Sequence, residues 1–282
     1  RKVNRRAIES LIRAGAFDKL NSNRASLLAS VNLAISLADQ ANANLGQNSL
    51  FAEADTQKIN LIEMAPWEDK QQLSEEKIAI GFYFSGHPFK FYQKIISGFV
   101  SENLSDLKPR ESSYLIAGII SAIRIRMTSR GKIAIVTLDD GKARIEMFVG
   151  NAVLNEAQSL LKEDQLLIAE GKVSHDDFSG GNRVSAIKVY DLMSIQSSKA
   201  VLLTISMNGQ ADAKKLKVLL RPYSRENFHT SLKRCKVKVE YQNSKGKVEL
   251  LLGPEWDVSL HEDLISGLSK SFHDENVKIL YN

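Results

Sequence analysis

Few residues in this chain have the type and spacing needed for covalent or metal chemistry. Five histidines, His87, His175, His229, His261 and His273, are scattered without HExxH or any other ligand spacing, so surface and capping roles suit them better than a metal centre. Asp139-Asp140 and Asp176-Asp177 have the residue type of a magnesium pair. Each pair, however, stands where a strand enters a turn, a common position for Asp. The one cysteine, Cys235, lies among Lys233, Arg234 and Lys236 in a run that reads as a strand, and alone it makes neither an internal disulfide nor a cysteine zinc site. No P-loop, nucleotide-binding glycine fingerprint or nucleophile elbow occurs, and Gly180-Gly181 reads as a hairpin turn. Asn103-Leu104-Ser105 matches a glycosylation sequon in a chain with no secretory context. The expectation is therefore no catalytic residue, no metal and no cofactor.

The residue types point instead to binding. Arg124 and Arg126 share one face of a predicted strand, Arg130 tips the hairpin that follows, and Lys132, Arg144 and Phe148 fall on neighbouring strands. His175, Phe178 and Arg183 gather at a later hairpin. Guanidinium groups that meet phosphates, beside rings that stack on bases, make a surface for single-stranded nucleic acid. With few aromatics and balanced local charge, weak and sequence-blind binding is expected; a protein-binding barrel with a solvated basic edge is the bland alternative. A second candidate is Gln47-Asn48-Ser49-Leu50-Phe51, where an adjacent Leu-Phe pair in a polar loop offers apolar area to a partner's pocket and Gln47 offers an amide that donates and accepts. Its bland alternative is a loop tucked onto its own helices.

The elements that must position these residues follow from pattern. Length of 282 residues implies two domains or three small ones, and 43% hydrophobic with 25% charged residues excludes wholesale disorder or a disulfide scaffold. No apolar run approaches the roughly 18 residues needed to span a bilayer, so no membrane partner is expected, and a cytoplasmic setting fits the single cysteine. The missing initiator Met and an opening in mid-helix pattern read as a fragment of something longer. The net charge of +5 is unevenly spread: residues 1–112 carry 14 basic and 13 acidic side chains, 113–198 carry 10 of each, and 199–282 carry 14 and 10. Within the neutral middle segment, Arg124, Arg126, Arg130 and Lys132 come with no acid between them, and such local fields matter most to a polyanion.

Helical spacing predicts a helix ending near Gly15, a second from a cap at Asn23 to about Gln40, a loop over 41–60, a third over about 69–83 stopped by Ser85-Gly86-His87-Pro88, and a fourth over 89–97. From Leu115 the period changes to two: three strands, a helix from Val153 to Leu161, and two more strands, the first strand unusually long and glycine-bearing. That order is the OB-fold pattern of a small closed barrel. Residues 201–282 then read βαββαβ, an α+β layer. The predicted architecture is multidomain α and β: an N-terminal helical region over 1–113, an OB-fold β-barrel over 114–198 and an α+β domain over 199–282.

Taken together, NRRAIESLIRAGAFDKL at 4–20, QNSLF at 47–51, EKIAIGFYFSGHP at 76–88, SRGKIAIVTLDD and GKVSHDDFSGG in the barrel segment, and LLLGPEWDV near the end resemble the C-terminal region of the bacterial replicative DNA polymerase III alpha subunit family. The resemblance implies the end of a helix-hairpin-helix part, of which the trailing helix and the Ala14-Gly15-Ala16 turn match. It also implies a sliding-clamp (beta subunit) motif at Gln47, Asn48, Ser49, Leu50 and Phe51, an OB domain offered to single-stranded template DNA, and a terminal domain that binds the clamp-loader tau subunit. No short motif carries tau binding residue by residue. The family's palm aspartates have no counterpart, which implies a non-catalytic part of a DNA-directed DNA polymerase. The competing readings are a free-standing OB-type single-stranded nucleic-acid binder and an error-prone relative of the alpha subunit.

Overall fold

The structure, a computed structural model, describes residues 3–44, 60–100, 102–129, 131–176, 181–208, 212–224 and 233–282. The chain gathers into two compact units, 1–90 and 91–282.

In the first unit, α1 (Arg5–Arg13) is capped by Asn4, whose side chain accepts the Arg6 N–H at 3.0 Å. Asn23 caps α2 (Arg24–Ala29), which is followed by α3 (Val31–Asn44). The single helix expected from 23 to 40 is thus broken at Ser30. The Ser30 hydroxyl donates to the Ser26 carbonyl at 2.7 Å and accepts the Ile62 N–H at 2.8 Å, while Ser26 Oγ accepts the Met64 N–H at 3.0 Å. These bonds tie the extended residues 60–64 alongside α2. The next helix, α4 (Asp69–Ile80), stops three residues before the expected end because Gly81 takes a left-handed φ of +83° and returns its N–H to the Lys77 carbonyl.

That early stop turns the chain back onto α4. The N–H groups of Phe84 and Ser85 both donate to Glu76 Oε2 at 2.8 Å. The other carboxylate oxygen meets Arg24 Nη1 at 2.9 Å, and Arg24 also grips Asp18 through two bonds of 2.8 and 2.7 Å. Arg24 and Glu76 are both buried. Burial disfavours the ionised Glu76, but the Ser85 N–H, the Arg24 guanidinium and the Phe84 N–H outweigh it and hold its pKa below the ordinary range.

In the second unit, α5 (Lys90–Ile96) leads to a 3₁₀ turn over 104–106 and then to the barrel strands β1 (Tyr114–Thr128), β2 (Gly131–Asp139) and β3 (Arg144–Val149). After α6 (Asn151–Ala157) come β4 (Leu166–Asp176) and β5 (Gly181–Tyr190). They close in the order β1-β2-β3-β5-β4, the OB-fold barrel. Strand β1 pairs with β4 through Tyr114–Ile119 and with β2 through Ile119–Thr128, with a register shift between Ile120 and Ala122. The crossing is close: a Cβ on Gly118 would stand 3.0 Å from Leu138 Cβ. Ile116, Ile120, Val136, Leu138, Met147, Val149 and Leu167 fill the interior, and Leu154 of α6 packs against it.

Residues 91–113 were expected with the helices but lie in the barrel's unit. Leu104 and Leu107 join the barrel core, and the Leu104 N–H donates to Asp140 Oδ2 at 2.9 Å. Beyond the barrel a second core forms around a separate sheet. Helix α7 (Leu192–Lys199), capped by Asp191, runs straight into β6 (Ala200–Asn208), and Ser197 Oγ donates to the Leu260 carbonyl at 2.9 Å. Next come α8 (Ala213–Leu220), β7 (Lys236–Asn243), β8 (Gly246–Leu251), α9 (Glu262–Phe272) and β9 (Val277–Tyr281). The sheet order is β8-β7-β6-β9, with β6 and β7 parallel and the other neighbours antiparallel. Leu216 and Leu220 of α8 and Leu264 and Leu268 of α9 pack with Leu203, Ile205 and Val237 of the sheet.

Replacing Glu76 by Ala takes from the buried Arg24 one of its two carboxylate partners and leaves two N–H groups unmet, so a loss of about 3–5 kcal/mol is expected in the first unit. The folded pKa of Glu76 is lowered, so its contribution is present above the ordinary glutamate value of about 4.3 and fades as pH falls through the lowered one. Hydrogen exchange at α1–α4 checks both: protection in Glu76→Ala equal to the parent's at neutral pH contradicts this account.

Candidate nucleic-acid interface

The outer face of the barrel is set by the period of β3. Met147 and Val149 point into the core, so Arg144, Glu146 and Phe148 point out. Cross-strand register places Arg124 opposite Ile135, Ile135 opposite Phe148, and Phe148 opposite Ser185, one transverse row over four strands. Arg126 stands opposite Ile133, and Lys132 opposite Met127 near the hairpin tip, where Met127 is 79% exposed. Arg183 comes over the Phe148 ring with its guanidinium carbon 4.4 Å from the centroid.

Pairing between β3 and β5 covers only Met147–Val149 against Val184–Ala186, and beyond it the two strands diverge. A cavity of about 450 Å³ opens there, lined by Ser105, Arg144, Glu146, Phe148, Asn182 and Arg183 among others. Of the expected site residues, Arg124, Arg126, Lys132, Arg144, Phe148 and Arg183 are described and exposed or half-buried on this barrel. Arg130 and Phe178 lie outside the described residues, as do Gln47, Asn48, Ser49, Leu50 and Phe51.

The charges are less simple than the cation count implies. Arg124 is ion-paired to Glu146, and Arg144 Nε donates to Asp139 Oδ2 at 2.6 Å. Asp139 is itself fixed, since its other oxygen accepts the Gly141 N–H at 2.8 Å. Asp140 accepts three N–H groups, from Lys142, Ala143 and Leu104, so both adjacent acids organise backbone. Among the described residues no three His, Cys, Asp or Glu side chains gather as metal ligands. Cys235 is fully buried, which pushes its thiol up to about 12 and leaves it unreactive at neutral pH.

A second surface was not anticipated. Val248 and Leu250 of β8 are about half exposed, and with Met207, Leu216, Tyr241 and Trp256 they line an apolar groove of about 460 Å³. The alternation of Val248 and Leu250 was a signal in the sequence. The lysines on the opposite face of the same two strands are occupied by acids: Lys238 meets Glu240 at 2.6 Å and Glu249 at 3.2 Å, and Lys247 meets Glu249 at 3.5 Å. Among the described residues, no helix is long and apolar enough to cross a membrane.

A family model described as tRNA_anti-codon, an OB-fold nucleic acid binding domain, matches residues 114–192. Similarity to curated proteins runs further. DNA polymerase III subunit alpha of Neisseria meningitidis serogroup A is 37% identical over 281 residues, covering 98% of this chain and 24% of that protein. The subunits of Escherichia coli K12 and Vibrio cholerae are 34% and 33% identical, each covering 100% of this chain and 25% of their own length. The chain thus spans about a quarter of the length of the curated relatives it matches.

Changing Arg126 and Lys132 to Ala is expected to make the log–log salt dependence of single-stranded DNA binding shallower by about 0.7 for each cation removed. Both side chains are exposed, so the melting temperature should hold. A salt slope equal to the parent's places phosphate elsewhere.

Proposed function

We propose, from a similarity to DNA polymerase III alpha subunits that covers 98–100% of this chain, that it is a non-catalytic, C-terminal part of such a subunit that tethers the polymerase during DNA replication. The observation that carries the reading is the extent of the match, 98–100% of this chain in the relatives named above. Polymerisation, a nucleotidyl transfer, belongs on this reading to another part of the parent DNA-directed DNA polymerase. The setting is the cytoplasm, where such a subunit would work.

Three attachments make up the tether. The barrel takes single-stranded template DNA on the face of Arg124, Arg126, Arg144, Phe148 and Arg183, joined by Lys132 at the hairpin end and by Arg130 and Phe178 of the sequence reading, with phosphates on the guanidinium groups and a base on the aromatic surface near Phe148; stacking contributes about 1–3 kcal/mol per base. The α+β domain at 199–282 docks the tau subunit of the clamp loader. Its apolar groove and acid-paired lysines favour a protein partner over a polyanion. Gln47-Asn48-Ser49-Leu50-Phe51 docks on the sliding clamp: burying Leu50 and Phe51 contributes roughly 1.5–3 kcal/mol each, and a Gln47 hydrogen bond about 1 kcal/mol.

Each contact is modest after the cost of ordering its segment, and together they raise residence by making the later contacts intramolecular. Such a tether holds a polymerase on its template and still lets it leave. The test is the Leu50→Ala/Phe51→Ala variant of the whole chain. Affinity for the purified sliding clamp should fall at least tenfold, the loss of about 1.4 kcal/mol or more, with thermal stability nearly unchanged. A drop in melting temperature with clamp affinity preserved means that the pair packs on its own helices, and it defeats the assignment.

A further inference from the structure

Glu146 is out of place on a surface for a polyanion. It projects from β3 between Arg144 and Phe148, lines the cavity where β3 and β5 diverge, and is ion-paired across the sheet to Arg124. Its side chain is 49% exposed and that of Arg124 is 51% exposed. The contrast with Asp139 is informative: that acid is nearly buried and holds the Gly141 turn as well as Arg144, so it is part of the scaffold. Among the described residues, Glu146 has Arg124 as its hydrogen-bonding partner and no backbone group to organise.

We infer that Glu146 is an internal competitor for phosphate, which occupies Arg124 in the unliganded chain and sets the affinity of the barrel face for single-stranded DNA. This rests on the single-strand reading of that face. The physical case is direct. A phosphate arriving at Arg124 must displace a carboxylate already in place and then lie beside its negative charge, so the contact is worth less than an unencumbered arginine would give. The exposed pair is itself weak, so displacement is feasible at modest cost. Bound strand is therefore held loosely and exchanges readily, while the orientation of Arg124 is kept by Glu146 between binding events.

The test uses the whole chain and a labelled oligothymidylate, with anisotropy read over a salt series. Glu146→Gln keeps the side chain's size and removes its charge. Affinity at low salt is expected to rise about three- to tenfold, and the log–log salt slope to steepen by about 0.7 as Arg124 becomes available. The double variant Arg124→Ala/Glu146→Gln should lose the added steepness and most of the gain, which separates release of Arg124 from a general change in field. Salt-dependent binding by the parent with Glu146→Gln unchanged in affinity and slope overturns the role of Glu146 alone. A double variant that keeps the whole gain also overturns it. A parent chain that binds no oligothymidylate at any salt overturns the single-strand reading and this inference with it. The melting temperature of Glu146→Gln should match the parent's, since no backbone group depends on the carboxylate.

Discussion

One strand has to serve two half-barrels, and the second unit is organised around that demand. Strand β1 gives its first residues to β4 and the rest to β2, sharing Ile119 between them, and the register shift at Ser121 lets it bend between the two partners. Gly118 precedes the bend where a side chain would meet Leu138. With the bend made, the five strands close, and the brief parallel pairing of β3 with β5 completes the ring. Closure satisfies the strand edges and also aligns Arg124, Ile135, Phe148 and Ser185 across four strands. The proposed binding face is thus a by-product of the closure, and its leading edge is the part of β1 and β2 that extends past the core.

The helical unit obeys a different constraint. Its centre is polar: Arg24 and Glu76 are taken out of water and made tolerable by Asp18, the Arg13 carbonyl and the Phe84 and Ser85 N–H groups. Such an arrangement holds only when every partner is present, so it specifies how α1, α2, α4 and the loop after Gly81 meet. The barrel face uses charge in the opposite way. There the Arg124–Glu146 pair is half exposed, weak and replaceable.

Local pattern disclosed most of the barrel, because the period-two run from Leu115 and the glycine in it are properties of the strand itself. The alternation of Arg144, Glu146 and Phe148 on β3 was legible in the same way, although Glu146 went unremarked. What local pattern could not disclose were contacts made at a distance. Ser30 breaks a helix because Ile62, far along the chain, docks on its hydroxyl. The Arg183–Phe148 stack joins two strands separated by a helix and another strand. Helix α7 was missed because its eight residues, Leu192–Lys199, show no apolar periodicity and depend on the Asp191 cap and on buried Ile195, Gln196 and Ser197. Gly81 was a missed local signal: a lone glycine after a helix with Lys77 in its last turn is a stop.

The central claim is that the barrel, and not the β7–β8 hairpin with its lysines, receives the single strand. Backbone chemical shifts of the labelled whole chain, followed through a titration with single-stranded DNA, test it most directly. The account predicts perturbations gathered on Arg124–Thr128, Lys132–Ile135, Arg144–Phe148 and the start of β5, with β7 and β8 silent. Perturbations concentrated on Lys236–Lys247, with the barrel face unmoved, would contradict it.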